Sequence, residues 1–217
     1  MASTINASTS GGGGIISTAD ASGTLTLQGA GNTGLSIDSS GNATGTTQSQ
    51  ANNSTRIGTT AYVDRVAVQQ VVSTITGTVA TGTTQIPLDN TIPQNTEGDQ
   101  YMTLSITPKS ATSKLVITVT AIVSNNNAAW VTVALFQDST ANALAVSTEY
   151  NSGATGITPV VFRYVMTSGT TSATTFKVRA GSNLASATST VTFNGNNQAQ
   201  LFGGAAASSI IITEIGV

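Results

Sequence analysis

The sequence predicts a mainly β protein: a flexible N-terminal arm with short β segments, one short helix, and a C-terminal antiparallel β-sandwich of jelly-roll type. Three observations point there. Short stretches alternate apolar and polar residues with the period of a half-buried strand, as in Leu115-Val116-Ile117-Thr118-Val119-Thr120. Clusters of Ser, Gly and Asn separate these stretches at turn-like intervals. A hydrophobic content of 39% and a mean hydropathy of +0.14 supply enough apolar material for a core.

The N-terminal arm spans residues 1–50. Gly11-Gly12-Gly13-Gly14 is a joint with no side chains to order. After it, Gly23 to Gln28 and Gly34 to Asp38 alternate like strands, with turn-prone residues between and beyond them. Two such strands do not make a core alone, so copies of the chain or a docking partner are expected to complete them. Met1 to Ser10 is polar, without the basic and apolar regions of a signal peptide, and no leader is expected.

Residues 51–82 are expected to hold the helix. Thr59-Thr60 offers cap chemistry, and the chain then runs from Ala61 to Ile75 before Gly77. Ala61, Val68 and Ile75 share one heptad position, Asp64 and Val71 take the facing one, and Val72 widens the stripe. Ala61, Val68, Val71, Val72 and Ile75 are therefore the expected oligomerisation residues. β-Branched side chains are poor helix formers, so this helix needs packing to exist. A three-stranded parallel bundle supplies it, and so does an amphipathic helix lying on its own domain.

Residues 83–217 form the expected sandwich, with strands near 100–106, 115–120, 130–136, 143–148, 160–166, 174–178, 190–193 and 209–215. Pro87, Pro93, Pro108 and Pro159 fall at strand edges or between strands, where a missing N–H does no harm.

The chemistry of the chain is defined by what it lacks. It has no His, no Cys and only 7% charged residues, against about a quarter in an ordinary globular domain. Proton transfer, nucleophilic attack and metal binding lose their commonest parts, so no enzyme activity, catalytic residue, metal site or cofactor is expected. Glu97 with Asp99, or Asp138 with Glu149, are carboxylate pairs of the kind a glycosidase needs, but so few acids are better explained as turn caps. No basic stripe follows a phosphate backbone, and no apolar run approaches the ~20 residues of a membrane span, so neither nucleic acid nor membrane insertion is expected. Among the aromatics, Trp130 lies in a strand pattern and reads as core. Tyr150, with Asn151 beside it, lies in a loop-like stretch and is the candidate for surface binding.

Three stretches carry a family likeness. Asn52 to Asp64 (NNSTRIGTTAYVD) resembles a segment that recurs in tail fibres and related virion proteins of tailed bacteriophages, and Gly23 to Asn42 is similar to their repetitive β segments. Asp89 to Leu115, Ala134 to Ala143 and Phe202 to Ile215 together resemble a C-terminal domain of phage structural proteins. The resemblance implies a virion protein made in the host cytoplasm. It would be a short homotrimeric tail fibre, attached to other virion proteins through the N-terminal arm. Its distal knob would meet a host-surface glycan or protein. A capsid decoration or head-fibre protein, and a polysaccharide-degrading spike, are the alternatives it leaves.

Overall fold

A computed structural model describes residues 23–29, 32–45, 68–154, 156–185 and 187–216. The chain divides into two compact units, Met1–Tyr62 and Val63–Val217. The described part of the first is a three-stranded antiparallel meander of β1 (Leu25–Gly29), β2 (Asn32–Ile37) and β3 (Ala43–Gly45). Asp38 closes its second turn, accepting the backbone N–H groups of Ser40 and Asn42 and the Asn42 side-chain amide. None of its described side chains is buried, and Leu25 and Leu27 stand half exposed.

The second unit is a sandwich of two antiparallel sheets. Its long strands are β4 (Val68–Thr76), β6 (Asp99–Ile106), β7 (Lys114–Asn125), β8 (Ala128–Gln137), β9 (Ala145–Ser152), β10 (Thr158–Thr167), β11 (Thr174–Ser182) and β15 (Ser208–Ile215). Short β5 (Ala80–Gly82), β12 (Val191–Phe193), β13 (Gly195–Asn196) and β14 (Ala199–Gln200) fill the gaps. β7 is the spine of the larger sheet. One edge pairs with β10 along almost its whole length, and the other pairs first with β15 and then with β12. β4 pairs outside β15, and β5 outside β12. The smaller sheet runs β6-β11-β8-β9. If the eight long strands are counted in chain order, the larger sheet reads 1-8-3-6 and the smaller 2-7-4-5. That interleaving, in which every connection but the β8–β9 hairpin crosses from sheet to sheet, is the jelly roll expected from the sequence.

The core lies between the sheets. Leu115, Ile117, Val119 and Val123 of β7 meet Val131, Val133 and Leu135 of β8, Phe176 and Val178 of β11, and Ile210 and Ile212 of β15, all buried. Tyr101 stacks on Phe193 with ring centroids 4.6 Å apart. A smaller cluster lies outside the smaller sheet, where Ile86 covers Ala134 and Phe136.

The expected helix is not formed where the structure describes it: Val68–Thr76 is β4. The first part of the helix, Ala61 included, lies outside the described residues. Val71, Val72, Thr74, Ile75 and Thr76 are the residue types that lose rotamer freedom in a helix and pack well in a sheet. Pairing with β15 gives them a ladder from Ser208↔Thr76 to Ile215↔Val68, and that tertiary partner overrides the heptad pattern. The register shift between Glu214 and Ile215 explains the misleading spacing. An extra residue on β4 brings Val68 back to the face of Val71 and Ile75, so a bulged strand presents the residues that a heptad would align. β4 ends where Gly77 meets the turn at Gly204. A Cβ on Gly77 would stand 1.8 Å from the Gly204 carbonyl oxygen, so no side chain fits there.

Candidate functional site

The outer face of the larger sheet is the most unusual surface of the second unit. Register places Val161, Thr120, Ser209 and Ile75 in one row across β10, β7, β15 and β4, and Arg163, Thr118, Ile211 and Ser73 in the next. Val165, Val116, Thr213 and Val71 form the third, and Thr167, Lys114, Ile215 and Val68 the fourth. Val68, Val71, Ile75, Val161 and Val165 are each more than half exposed. Lys114 and Arg163 are the only charges in the four rows, and Lys114 Nζ donates to Thr167 Oγ1 at 2.7 Å. Elsewhere the face is aliphatic and hydroxyl. Aliphatic side chains this exposed on one sheet face mark it as a candidate interaction surface.

Of the expected oligomerisation residues, the structure thus brings Val68, Val71 and Ile75 together on one exposed face. It turns Val72 the other way, against the core beside its ladder partner Ile212. Val116, Ile211 and Ile215, which complete the face, were not singled out in the sequence. They stand on strands that also carry core residues, and alternation alone does not tell which face of a sheet will be covered.

A second surface lies at the outer edge of the smaller sheet. Tyr150 is exposed, as expected, but Asn151 is fully buried. Its side chain is structural: Oδ1 accepts the N–H groups of Asn125 (3.2 Å) and Gly153 (3.1 Å), and Nδ2 donates to Thr158 Oγ1. β9 carries both residues, and alternation sends their side chains to opposite faces. Trp130 is corrected too. It is 40% exposed on the outer face, opposite Tyr150 in the ladder, and the two rings meet edge to face with centroids 5.5 Å apart. Asn183 fixes the Trp130 backbone by exchanging two hydrogen bonds with it.

The acids act as caps. Glu97 accepts the Gln94 N–H, Asp99 accepts both the N–H and the hydroxyl of Thr84, and Asp138 accepts from Thr174 and Thr175. Glu214 is fully buried. It accepts from Gln70 Nε2 and from the backbone N–H groups of Lys109 and Ser110, clamping β4, β15 and the β6–β7 connection together.

Comparison with known proteins changes the family assignment. The family model of the Pgp3 C-terminal domain matches residues 86–216, more than half of the chain. No curated protein matches. Among solved structures the chain is similar to one titled "Structure of infectious bursal disease virus Gx strain", at a TM-score of 0.28 and 13% identity. That match covers 67% of this chain and 37% of the other, and at so low a score it has no bearing on function. The Pgp3 match overturns the phage resemblance. The C-terminal stretches that resembled a phage domain fall within the matched region, and Pgp3 is a chlamydial plasmid virulence protein. The NNSTRIGTTAYVD segment lies outside both the match and the described residues. Tail fibre, capsid decoration protein, spike and virion location are withdrawn with the resemblance. Through residues 86–216 the chain belongs to the Pgp3 C-terminal domain family.

Proposed function

We propose that the chain is a non-enzymatic assembly protein whose jelly roll joins copies of itself into a homotrimer through the outer face of the larger sheet. The supporting observation is the set of exposed aliphatic side chains Val68, Val71, Ile75, Val161 and Val165 on the outer face of one sheet. A surface made mostly from hydroxyls and aliphatic groups, with Lys114 and Arg163 its only charges, has few ions to desolvate on association, which suits a chain with 7% charged residues. Light scattering on the purified chain should give three times its 21.7 kDa. Val71→Asp should give monomers with an unchanged circular dichroism spectrum, because Val71 is 58% exposed and its replacement leaves the core untouched. A monomeric parent, or a trimer that survives the substitution, would exclude this face as the interface.

A second reading concerns Trp130 and Tyr150. Their exposed rings, meeting edge to face, present stacking surfaces and no charge, the chemistry of a neutral saccharide site. Trp130 is the only tryptophan of the chain, so its fluorescence reports this surface directly. Titration with neutral oligosaccharides should shift its emission, and Tyr150→Ala should weaken the response at least tenfold. An emission unmoved by any neutral sugar would count against the site.

A further inference from the structure

The end of β8 and the start of β11 bring a hydroxyl, a carboxylate and a primary amide together. Gln137 is the last residue of β8, and Asp138 after it has φ +50, in the left-handed region that few residues other than glycine enter. That turn directs the Asp138 carboxylate back onto β11. Oδ1 accepts the Thr175 N–H at 2.8 Å, and Oδ2 accepts the Thr174 hydroxyl at 2.8 Å. Lys177 Nζ donates to the Asp138 carbonyl at 2.7 Å and holds the turn in place. On its other side, Thr174 Oγ1 accepts from Gln137 Nε2 at 2.8 Å. Thr174 is only 2% exposed. One buried hydroxyl therefore sits between a carboxylate that takes its proton and a primary amide that carries an acyl carbon.

These are the parts of an acyl transfer: a buried nucleophile, a carboxylate base hydrogen-bonded to it, and an acyl donor whose amide nitrogen already contacts the nucleophile. We propose that Thr174 and Gln137 join in an intramolecular ester, with Asp138 as the base. Thr174 Oγ1 attacks Gln137 Cδ while its proton passes to Asp138 Oδ2. The Cδ–Nε2 bond then breaks, the proton moves from Asp138 to the departing nitrogen, and ammonia leaves through the exposed side of the turn. One C–O bond replaces one C–N bond, nothing is oxidised or reduced, and Asp138 ends as the carboxylate it began as. The product ties the end of β8 to β11, strands already paired through Gln137↔Phe176. It strengthens the sheet that carries Trp130 and Tyr150.

Intact mass spectrometry of the full purified chain, aged at neutral pH, tests the bond. The expected mass is lighter than the sequence by one ammonia. A digest should contain the Gln137 peptide joined to the Thr174 peptide, and hydroxylamine should separate them. Thr174→Val should abolish the loss, and Asp138→Asn should slow it at least tenfold. Gln137→Met, at a partly exposed site that tolerates the change, should also keep the sequence mass while folding normally. A parent protein that never loses ammonia overturns the proposal. So does a loss that persists in Thr174→Val, because the ammonia then comes from another amide.

Discussion

Phe176→Ala is expected to cost the second unit about 3–5 kcal/mol, the range for emptying a buried aromatic site in a core that cannot collapse around it. Phe176 is fully buried near the start of β11, between β6 and β8, and lies in the main core cluster with Leu135, Val178 and Ile210. Strands on either side hold the ring's neighbours at ladder spacing, so the walls of the cavity have little freedom to close. In urea the midpoint should fall while the slope stays constant, because the surface exposed on unfolding is nearly the same. Phe202→Ala is the control. Phe202 is 80% exposed and has φ +50, so its truncation removes almost no buried contact and should move the midpoint by less than about 0.5 kcal/mol. If the two substitutions had equal effects, the core would not lie between these sheets.

The same logic separates what could be read in the sequence from what could not. Strands β6, β7, β8, β10, β11 and β15 announced themselves because one face of each is core: Leu115, Ile117 and Val119 are buried while Val116, Thr118 and Thr120 are not. Alternation is a local signal and survives without knowledge of the partner strand. β4 was misread because its outward residues were apolar as well, and a bulge set Val68, Val71 and Ile75 at heptad spacing. Trp130 was misread for the same reason: an apolar residue on the outer face of a strand looks like core until the sheet is assembled. Asn151 failed in the opposite direction. A polar residue beside a turn looks exposed, but its three hydrogen bonds reach Asn125, Gly153 and Thr158 and make burial affordable. The Gln137–Thr174–Asp138 contact was invisible because more than thirty-five residues separate its halves, and only the β8–β11 ladder brings them together.

These misreadings share a physical origin, and it bears on function. Apolar residues on outer faces mislead a reading that assumes a monomer, because in a monomer they would meet water. Val71, Ile75, Val161 and Val165 make sense as a group once a second protein surface covers them, which is why the larger sheet rather than a helix carries the proposed assembly. The low charge of the chain fits the same picture. Lys114 and Arg163 interrupt the face without dividing it, and at the strand edges side chains such as Gln70 and Thr74 bridge to Thr107 and Thr103 instead of leaving open donors.

Acid should weaken the protein through Glu214 in particular. Burial alone pushes its carboxyl upward, but hydrogen bonds from Gln70, Ser113 and the backbone N–H groups of Lys109 and Ser110 outweigh burial and hold it below its ordinary value of 4.5. The unfolded chain therefore takes up this proton at a higher pH than the folded one. Glu214 contributes its full stabilisation above about pH 4.5, and that contribution disappears as pH falls through the lowered folded value. Asp38 and Asp89 are also held low by turn hydrogen bonds, but they titrate identically in a Glu214 variant and cancel in the comparison. Glu214→Leu at neutral pH should cost about 3 kcal/mol or more, because it leaves one N–H of the Gln70 amide and two backbone N–H groups without their acceptor at about 1–3 kcal/mol each. Glu214→Gln keeps one acceptor oxygen and should cost less. Denaturation midpoints followed from pH 7 to pH 3 should show the parent and Glu214→Gln converging as the parent loses its charge. Curves that stay parallel would mean that the clamp does not depend on an ionised carboxylate.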